Sequence, residues 1–281
     1  FQIENGAKQP VLTSAEKQQR DAMDAFYEHA QHPAMLKIER QICGCDYGAS
    51  SWTTRSEADR MAVLLELRPG SRLLDVGSGS GWPGLYLSRT TGCDLALVDL
   101  PAFGLKIAQT RRMKETSNSS VWLVLADAAA LPFADASFDA VCHADLLCCL
   151  LCKKAVLRAC QNILRPGRPM VFSVISIPPR LSESDHRRAL EAGPEFVASK
   201  SSYRSLLAQT GWTVEEQQDV TESFTQLTVD RLEAERAYHD ELVLSAGPET
   251  VERRIKNLEE RRDALADGLL KRELFVVKSA R

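Results

Sequence analysis

The residues best able to do chemistry in this 281-residue chain are a glycine loop and the acids around it. The loop reads Asp75-Val-Gly77-Ser78-Gly79-Ser-Gly81 and directly follows the apolar pair Leu73-Leu74. Glycine tolerates unusual φ angles and lets a ligand approach the main chain closely. A helix beginning after such a loop offers free N–H groups and the positive end of its dipole. At the carboxyl end of a strand in an open α/β sheet, this is where a nucleotide-like ligand docks. Two ligand classes compete for it. Gly79-Ser-Gly81-Trp-Pro-Gly84 formally matches the dinucleotide pattern G-x-G-x-x-G, with Asp99 a plausible distance beyond. The run before the loop ends at Val76, however, so its register is G-x-G-x-G from Gly77. Asp75 would be unwelcome beside a pyrophosphate and suits a ligand that carries an ammonium group.

Alternating elements must position these residues. After Pro69-Gly70, short apolar runs predict strands at 72–76, 94–98, 121–125, 138–142 and 169–175. Helices are predicted between them over about 82–90, 103–115 and 149–164. This alternation signals a parallel sheet covered on both faces. Upstream, residues 1–12 read as a loose arm, and Thr13-Ser-Ala-Glu16 has capping-box spacing for a helix to about residue 31. A second helix over 34–42 leads into a Gly/Ser/Thr-rich loop, 44–54, that carries Tyr47 and Trp52. A helix over 55–67 precedes the first strand. Downstream the pattern predicts a short helix over 203–210, a sixth strand at 212–220, helices at 229–245 and 249–269 divided by Gly247-Pro248, and a last strand at 274–278.

Composition narrows the classes. Hydrophobic residues make up 44% and charged residues 26%, with 35 basic against 38 acidic side chains and a net charge of −3. That is globular, and it argues against non-specific nucleic-acid binding. Arg253-Arg254 and Arg261-Arg262 alternate with glutamates, which is ordinary helical ion pairing. No apolar run approaches the roughly 20 residues needed to cross a bilayer. The chain opens at Phe1, and residues 1–20 contain no apolar signal core. The eight cysteines read as reduced and mostly buried. Cys149-Leu-Leu-Cys152 has metal-type spacing but lies in what reads as a buried helix without a polar turn, so no metal is expected.

Taken in order, the motifs resemble those of the class I S-adenosylmethionine-dependent methyltransferases. Asp75 through Gly81 is similar to their first motif, Val98-Asp99-Leu100 to the acidic end of their second strand, and Ala126-Asp127-Ala128 to the adenine-binding position after the third. Leu131-Pro-Phe133 through Ser137-Phe-Asp-Ala-Val141 resembles the run into the fourth strand, and Leu164-Arg-Pro-Gly167 the turn before the fifth. The resemblance covers about residues 55–220 and the last strand. It implies a Rossmann-like α/β fold: a seven-stranded, mostly parallel sheet, helices on both faces, and a last strand antiparallel beside the sixth. It implies S-adenosyl-L-methionine as cofactor, S-adenosyl-L-homocysteine as product, and methyl transfer to a small-molecule acceptor. Asp99 with Leu100 would hold the ribose, since a carboxylate has two acceptor oxygens, and Asp127 with Ala128 the adenine. Gly77, Ser78, Gly79 and Gly81 would lie against the methionine part, with Asp75 near its ammonium.

The stretch Cys142-His143-Ala144-Asp145 would follow the fourth strand over the cofactor. His143 is the candidate general base and a cofactor contact; Asp145 would orient it or cap a helix. Tyr47 and Trp52 are expected to close over the methionine end. Residues 1–54 are expected to form a helical arm and lid. A methyltransferase domain would occupy 55–281, with a helical insertion at about 223–270. Two other readings stay open: a nicotinamide (NAD) oxidoreductase using Gly79–Gly84, and a non-catalytic S-adenosylmethionine-binding protein. The expected setting is a cytoplasmic monomer or homodimer with neither nucleic-acid nor membrane partners.

Overall fold

The computed structural model describes residues 12–114 and 119–279. All of the expected arm except Leu12 lies outside the described residues. Seven strands form one sheet: β1 (Arg72–Val76), β2 (Asp94–Asp99), β3 (Val121–Leu125), β4 (Ala140–Ala144), β5 (Pro169–Ser176), β6 (Trp212–Asp219) and β7 (Lys271–Ser279). Their order is β3-β2-β1-β4-β5-β7-β6. The first five strands pair in parallel, and β7 runs antiparallel to both β5 and β6, as expected.

Side chains alternate across a strand, so each apolar run feeds two layers. Leu74, Val76, Val98, Val141, Phe172 and Phe275 face one layer. It is completed by α6 (Lys153–Ile163), α8 (Tyr203–Gln209), α9 (Thr221–Ala237) and α11 (Pro248–Ala266). Leu73, Leu95, Leu97, Cys142 and Val171 face the other, against α3 (Arg55–Leu64), α4 (Gly84–Thr91) and α5 (Ala102–Lys114). A third, smaller cluster joins distant parts of the chain. Ala34, Met35 and Ile38 of α2 (Pro33–Cys43) pack on Ala234, Leu242 and Val251, from α9, α10 (His239–Ala246) and α11. The remaining helices are α1 (Ser14–Ala30) and α7 (Glu183–Ala192).

Local signals hold at several helix starts. Thr13 and Glu16 form the expected capping box of α1, and Thr54 with Glu57 forms another at α3. Other boundaries shift. α4 begins at Gly84 because Trp82 belongs to the preceding turn, where its indole N–H donates to the Thr53 carbonyl at 2.8 Å. β4 lies two residues later than expected, since Phe138 makes only an isolated bridge to Leu164. The helix expected from 149 begins at Lys153; Leu147–Cys149 is one 3-10 turn, so the Cys149–Cys152 pair is not inside a helix. The helix expected over 229–245 is two, α9 and α10, parted at Tyr238. The sequence reading missed α7, although Ser182 caps it by accepting the Asp185 N–H. Among the described residues, no helix is long and apolar enough to cross a membrane.

Candidate active site

Strand order reverses between β1 and β4, which opens a crevice at the carboxyl ends of the strands. The glycine loop stands at its edge and lines it through Gly77. Gly77, Gly79 and Gly81 have φ of 72°, 50° and 94°, the left-handed region that side chains resist. The loop is tied to the end of β2: the Gly77 N–H donates to the Val98 carbonyl (2.8 Å), and the Gly79 N–H to Asp99 Oδ2 (2.6 Å). A Cβ on Gly77 would come within 2.6 Å of Leu146, and one on Gly79 within 2.2 Å of the Tyr27 hydroxyl. The Ser78 and Ser80 hydroxyls are buried without a partner.

The crevice is a cleft bounded by Gly77, Val98, Asp99, Leu100, Asp127 and Ala128 on one side. Asp99 Oδ1 also accepts the Leu100 N–H at 2.7 Å, so each oxygen makes one bond and keeps acceptor capacity. Burial raises its carboxyl pKa to about 6. Asp127 Oδ1 accepts the Ala129 N–H at 2.7 Å. A glycine cradle, unmatched hydroxyls beside it and carboxylates at successive strand ends fit an adenosine-bearing, zwitterionic ligand.

Asp75 departs from its expected place. It is 1% exposed and lies beneath α4, where Oδ2 accepts the Gly84 N–H at 3.1 Å. Burial, against the Gly84 and Cys142 hydrogen bonds, raises its pKa to about 8. It therefore shapes the loop from behind and does not line the cleft. Gly81 likewise turns toward Leu85 and Ala108.

His143 is a clearer correction. With β4 at Ala140–Ala144 it falls inside the strand, and alternation turns it into the layer of Phe172. The two rings stack with centroids 4.5 Å apart. The imidazole is fully buried, neither nitrogen has a partner, and burial lowers its pKa to about 3. Ala144 and Asp145 reach the cleft instead. Nor does Asp145 orient His143. It adopts φ +54° and pairs with Arg272 of β7, whose Nε lies 3.0 Å from Oδ1. Arg272, fully buried, also bonds Glu57 Oε1 (2.7 Å) and Ser173 Oγ (3.1 Å). Asp145 Oδ2 accepts the Trp52 N–H at 3.2 Å, which fixes the 50–54 loop at the cleft's edge.

Trp52 and Tyr47 separate. Trp52 lines a second chamber of about 460 Å³, with Met23, Phe26, Ile175 and Arg261. Gln19, Met23, Ser50, Ala144, Asp145 and Cys149 border both spaces, so the chamber adjoins the cleft. Tyr47 instead packs on Trp82, ring centroids 5.2 Å apart, in a depression with Arg40 and Arg55. Glu39 holds that loop, accepting the Gly48 and Ala49 N–H groups. The sequence reading took α1 as part of a lid and named none of its residues for the site. Its Tyr27 hydroxyl lies over Gly79 and 3.2 Å from Ser50 Oγ, and Asp24 accepts the Phe103 N–H at 2.7 Å, tying α1 to α5. No motif marks Tyr27; the capping box shows only that a helix is there.

Residues 74–172 match the sequence profile of a family described as a methyltransferase domain. That match spans about a third of the chain, from β1 into β5. A similar curated protein is the 27-O-demethylrifamycin SV methyltransferase of Amycolatopsis mediterranei, 33% identical over 175 residues, 60% of this chain and 64% of that one. This chain therefore spans less than two thirds of that relative's length. Among solved structures, a mycolic acid cyclopropane synthase complexed with SAH and CTAB superposes with a TM-score of 0.77 at 16% identity, covering 92% of this chain and 98% of that one. A Haemonchus contortus phosphoethanolamine N-methyltransferase 2, in complex with phosphomonomethylethanolamine and S-adenosylhomocysteine, gives 0.75 at 17%, covering 92% and 60%. At such identities these structures show a shared fold alone.

Proposed function

We propose that this protein transfers a methyl group from S-adenosylmethionine to a small-molecule acceptor. The observation that carries this reading is a cleft flanked by Asp99 and Asp127 that adjoins a second chamber at Ser50, Asp145 and Cys149. When bound, S-adenosylmethionine supplies an activated methyl group. The remaining acceptor capacity of Asp99 suits the ribose hydroxyls, with Leu100 beside them; Asp127 and Ala128 suit the adenine. Gly77, Ser78 and Gly79 suit the methionine part. Asp75 and Gly81 support the loop.

Methyl transfer demands alignment and exclusion of water, and the helical additions serve both. Met23 and Tyr27 of α1 roof the cleft, and Trp52 walls the chamber. We assign the lid to residues 12–54 of the N-terminal segment and the insertion at about 223–270, with the acceptor entering the chamber between them. The dinucleotide reading is disfavoured because Asp75 already takes the Gly84 N–H that a phosphate would need. Eight free thiols support a reducing, cytoplasmic setting.

Calorimetry with S-adenosylhomocysteine and with NAD tests the cofactor. We expect binding of the first alone, and Asp99→Ala should weaken it by more than about 1 kcal/mol, the scale of a lost hydrogen bond. NAD binding without S-adenosylhomocysteine binding would overturn the reading. Incubating a metabolite extract with isotopically labelled cofactor then identifies the acceptor through its labelled product.

A further inference from the structure

The wall of the second chamber contains a cation that forms no ion pair among the described residues. Arg261, on α11, lies half-buried over the Trp52 ring, its guanidinium carbon 5.5 Å from the ring centroid. Its Nε donates to the Ala192 carbonyl at 3.0 Å. Among the described residues its two terminal nitrogens have no acceptor and it forms no ion pair. Arg231 sits over the same ring at 5.4 Å, but it has Glu235, with Nε 3.2 Å from Oε1. Glu235 is itself shared with Arg254 at 2.7 Å. One carboxylate thus serves two arginines, and Arg261 is left over. Neither of the chamber's other acids pairs with it among the described residues: Asp145 is bonded to Arg272 and reaches Arg261 only through space, and Glu195 is exposed. Burial and the like charge of Arg231 both bear on Arg261, lowering its pKa from the usual arginine range.

An unpaired, partly desolvated charge is costly, and the cost is relieved when an anion arrives. A guanidinium fork suits a carboxylate, which it can bind through two parallel hydrogen bonds. Much of the remaining wall is apolar, with Ala22, Met23, Phe26, Ile175 and Pro194. Arg261 does not border the cofactor cleft, although Asp145 and Cys149 of the junction lie within electrostatic range of it.

We propose that Arg261 determines acceptor specificity, and that the acceptor is a largely apolar molecule carrying one carboxylate. This rests on the methyltransferase reading and extends it. The carboxylate is the anchor, held by Arg261, and methyl transfer takes place at a nucleophilic atom elsewhere on the skeleton, nearer the junction. One cation left unpaired in the chamber among the described residues suits a monoanion; Arg231 and Arg254 are already engaged by Glu235.

Matched probes test this by calorimetry: 2-naphthylacetate and its neutral amide, 2-naphthylacetamide, each with and without saturating S-adenosylhomocysteine. The wild-type protein should bind the carboxylate about tenfold or more tightly than the amide, the scale of a charge-assisted hydrogen bond. Arg261→Met, which keeps the apolar stem, should abolish that preference while leaving S-adenosylhomocysteine affinity unchanged and the melting temperature equal or higher. Arg261→Lys should retain part of it. Equal affinity for the two probes, no carboxylate binding at millimolar concentration, or a preference that survives in Arg261→Met would overturn the proposal. Failure of S-adenosylhomocysteine to bind the wild type would remove the methyltransferase reading instead, and the probe ratio without it would still decide the role of Arg261.

Discussion

His143 and Asp75 show how burial redirects residues that look catalytic on paper. A buried imidazole with neither nitrogen satisfied costs stability, of the order of 1–3 kcal/mol per unmet group. His143→Phe preserves the stack on Phe172 and removes the unmet groups. We expect an equal or higher melting temperature and turnover within about twofold of wild type; a much larger loss would return His143 to the chemistry. The imidazole also has a pH signature. Its pKa falls from 6.5 to about 3 on folding, so stability is full above about 6.5 and is lost as pH falls toward 3. His143→Phe should remove that acid sensitivity. Asp75 has the opposite sign. Its carboxyl rises from 3.8 to about 8, so its contribution is full below about 4 and is lost as pH climbs to 8. Asp75→Asn keeps an acceptor for the Gly84 N–H without the titration. Melting temperatures between pH 4 and 8 should therefore vary less in the variant, and an unchanged slope would show that Asp75 is not their source.

Elements meet at Arg272. This one side chain of β7 joins the end of β4 through Asp145, the start of α3 through Glu57, and β5 through Ser173. Asp145 then holds the Trp52 loop. The network does not have to stabilise the fold relative to an apolar core, but breaking it leaves Asp145 and Glu57 without their cation. Arg272→Met should cost about 3–5 kcal/mol in chemical denaturation. Asp145→Asn should cost less, because asparagine tolerates the left-handed backbone at that position. A cost below about 1 kcal/mol for Arg272→Met would mean the pair is solvated in solution.

At the level of the whole molecule, α2 and α10 form a helical cap with α9 and α11, two helices that also belong to the layer packed on the sheet. Residues of α2 and of α9–α11, far apart in the chain, share one apolar cluster around Ile38. Removing most of that side chain leaves a cavity and should cost about 2–5 kcal/mol. If the cap opens as a unit, Ile38→Ala should speed amide exchange in α2, α9 and α10 before it affects β1, β4 and β5. Uniform acceleration across the sheet would show instead that cap and core unfold together.

The chain's local patterns were enough for much of this. Apolar runs of strand length, a glycine loop after the first of them and acids at the ends of the next two placed Asp99 and Asp127 beside one cleft, because parallel strands bring their carboxyl ends to one edge of the sheet. A capping box marked the start of α1 because its partners are three residues apart; the one at α3, with the same spacing, went unread. The remainder depended on contacts with no local signature. A two-residue shift in β4 carried His143 from the expected strand end into the sheet, next to Phe172. Tyr27 met Gly79 because α1 folds back over the loop. Asp145 found Arg272 across 127 residues. Side-chain periodicity is a property of neighbouring residues and can be read in one dimension; register, burial and the partner of a buried charge are set by segments that meet only once the chain has folded.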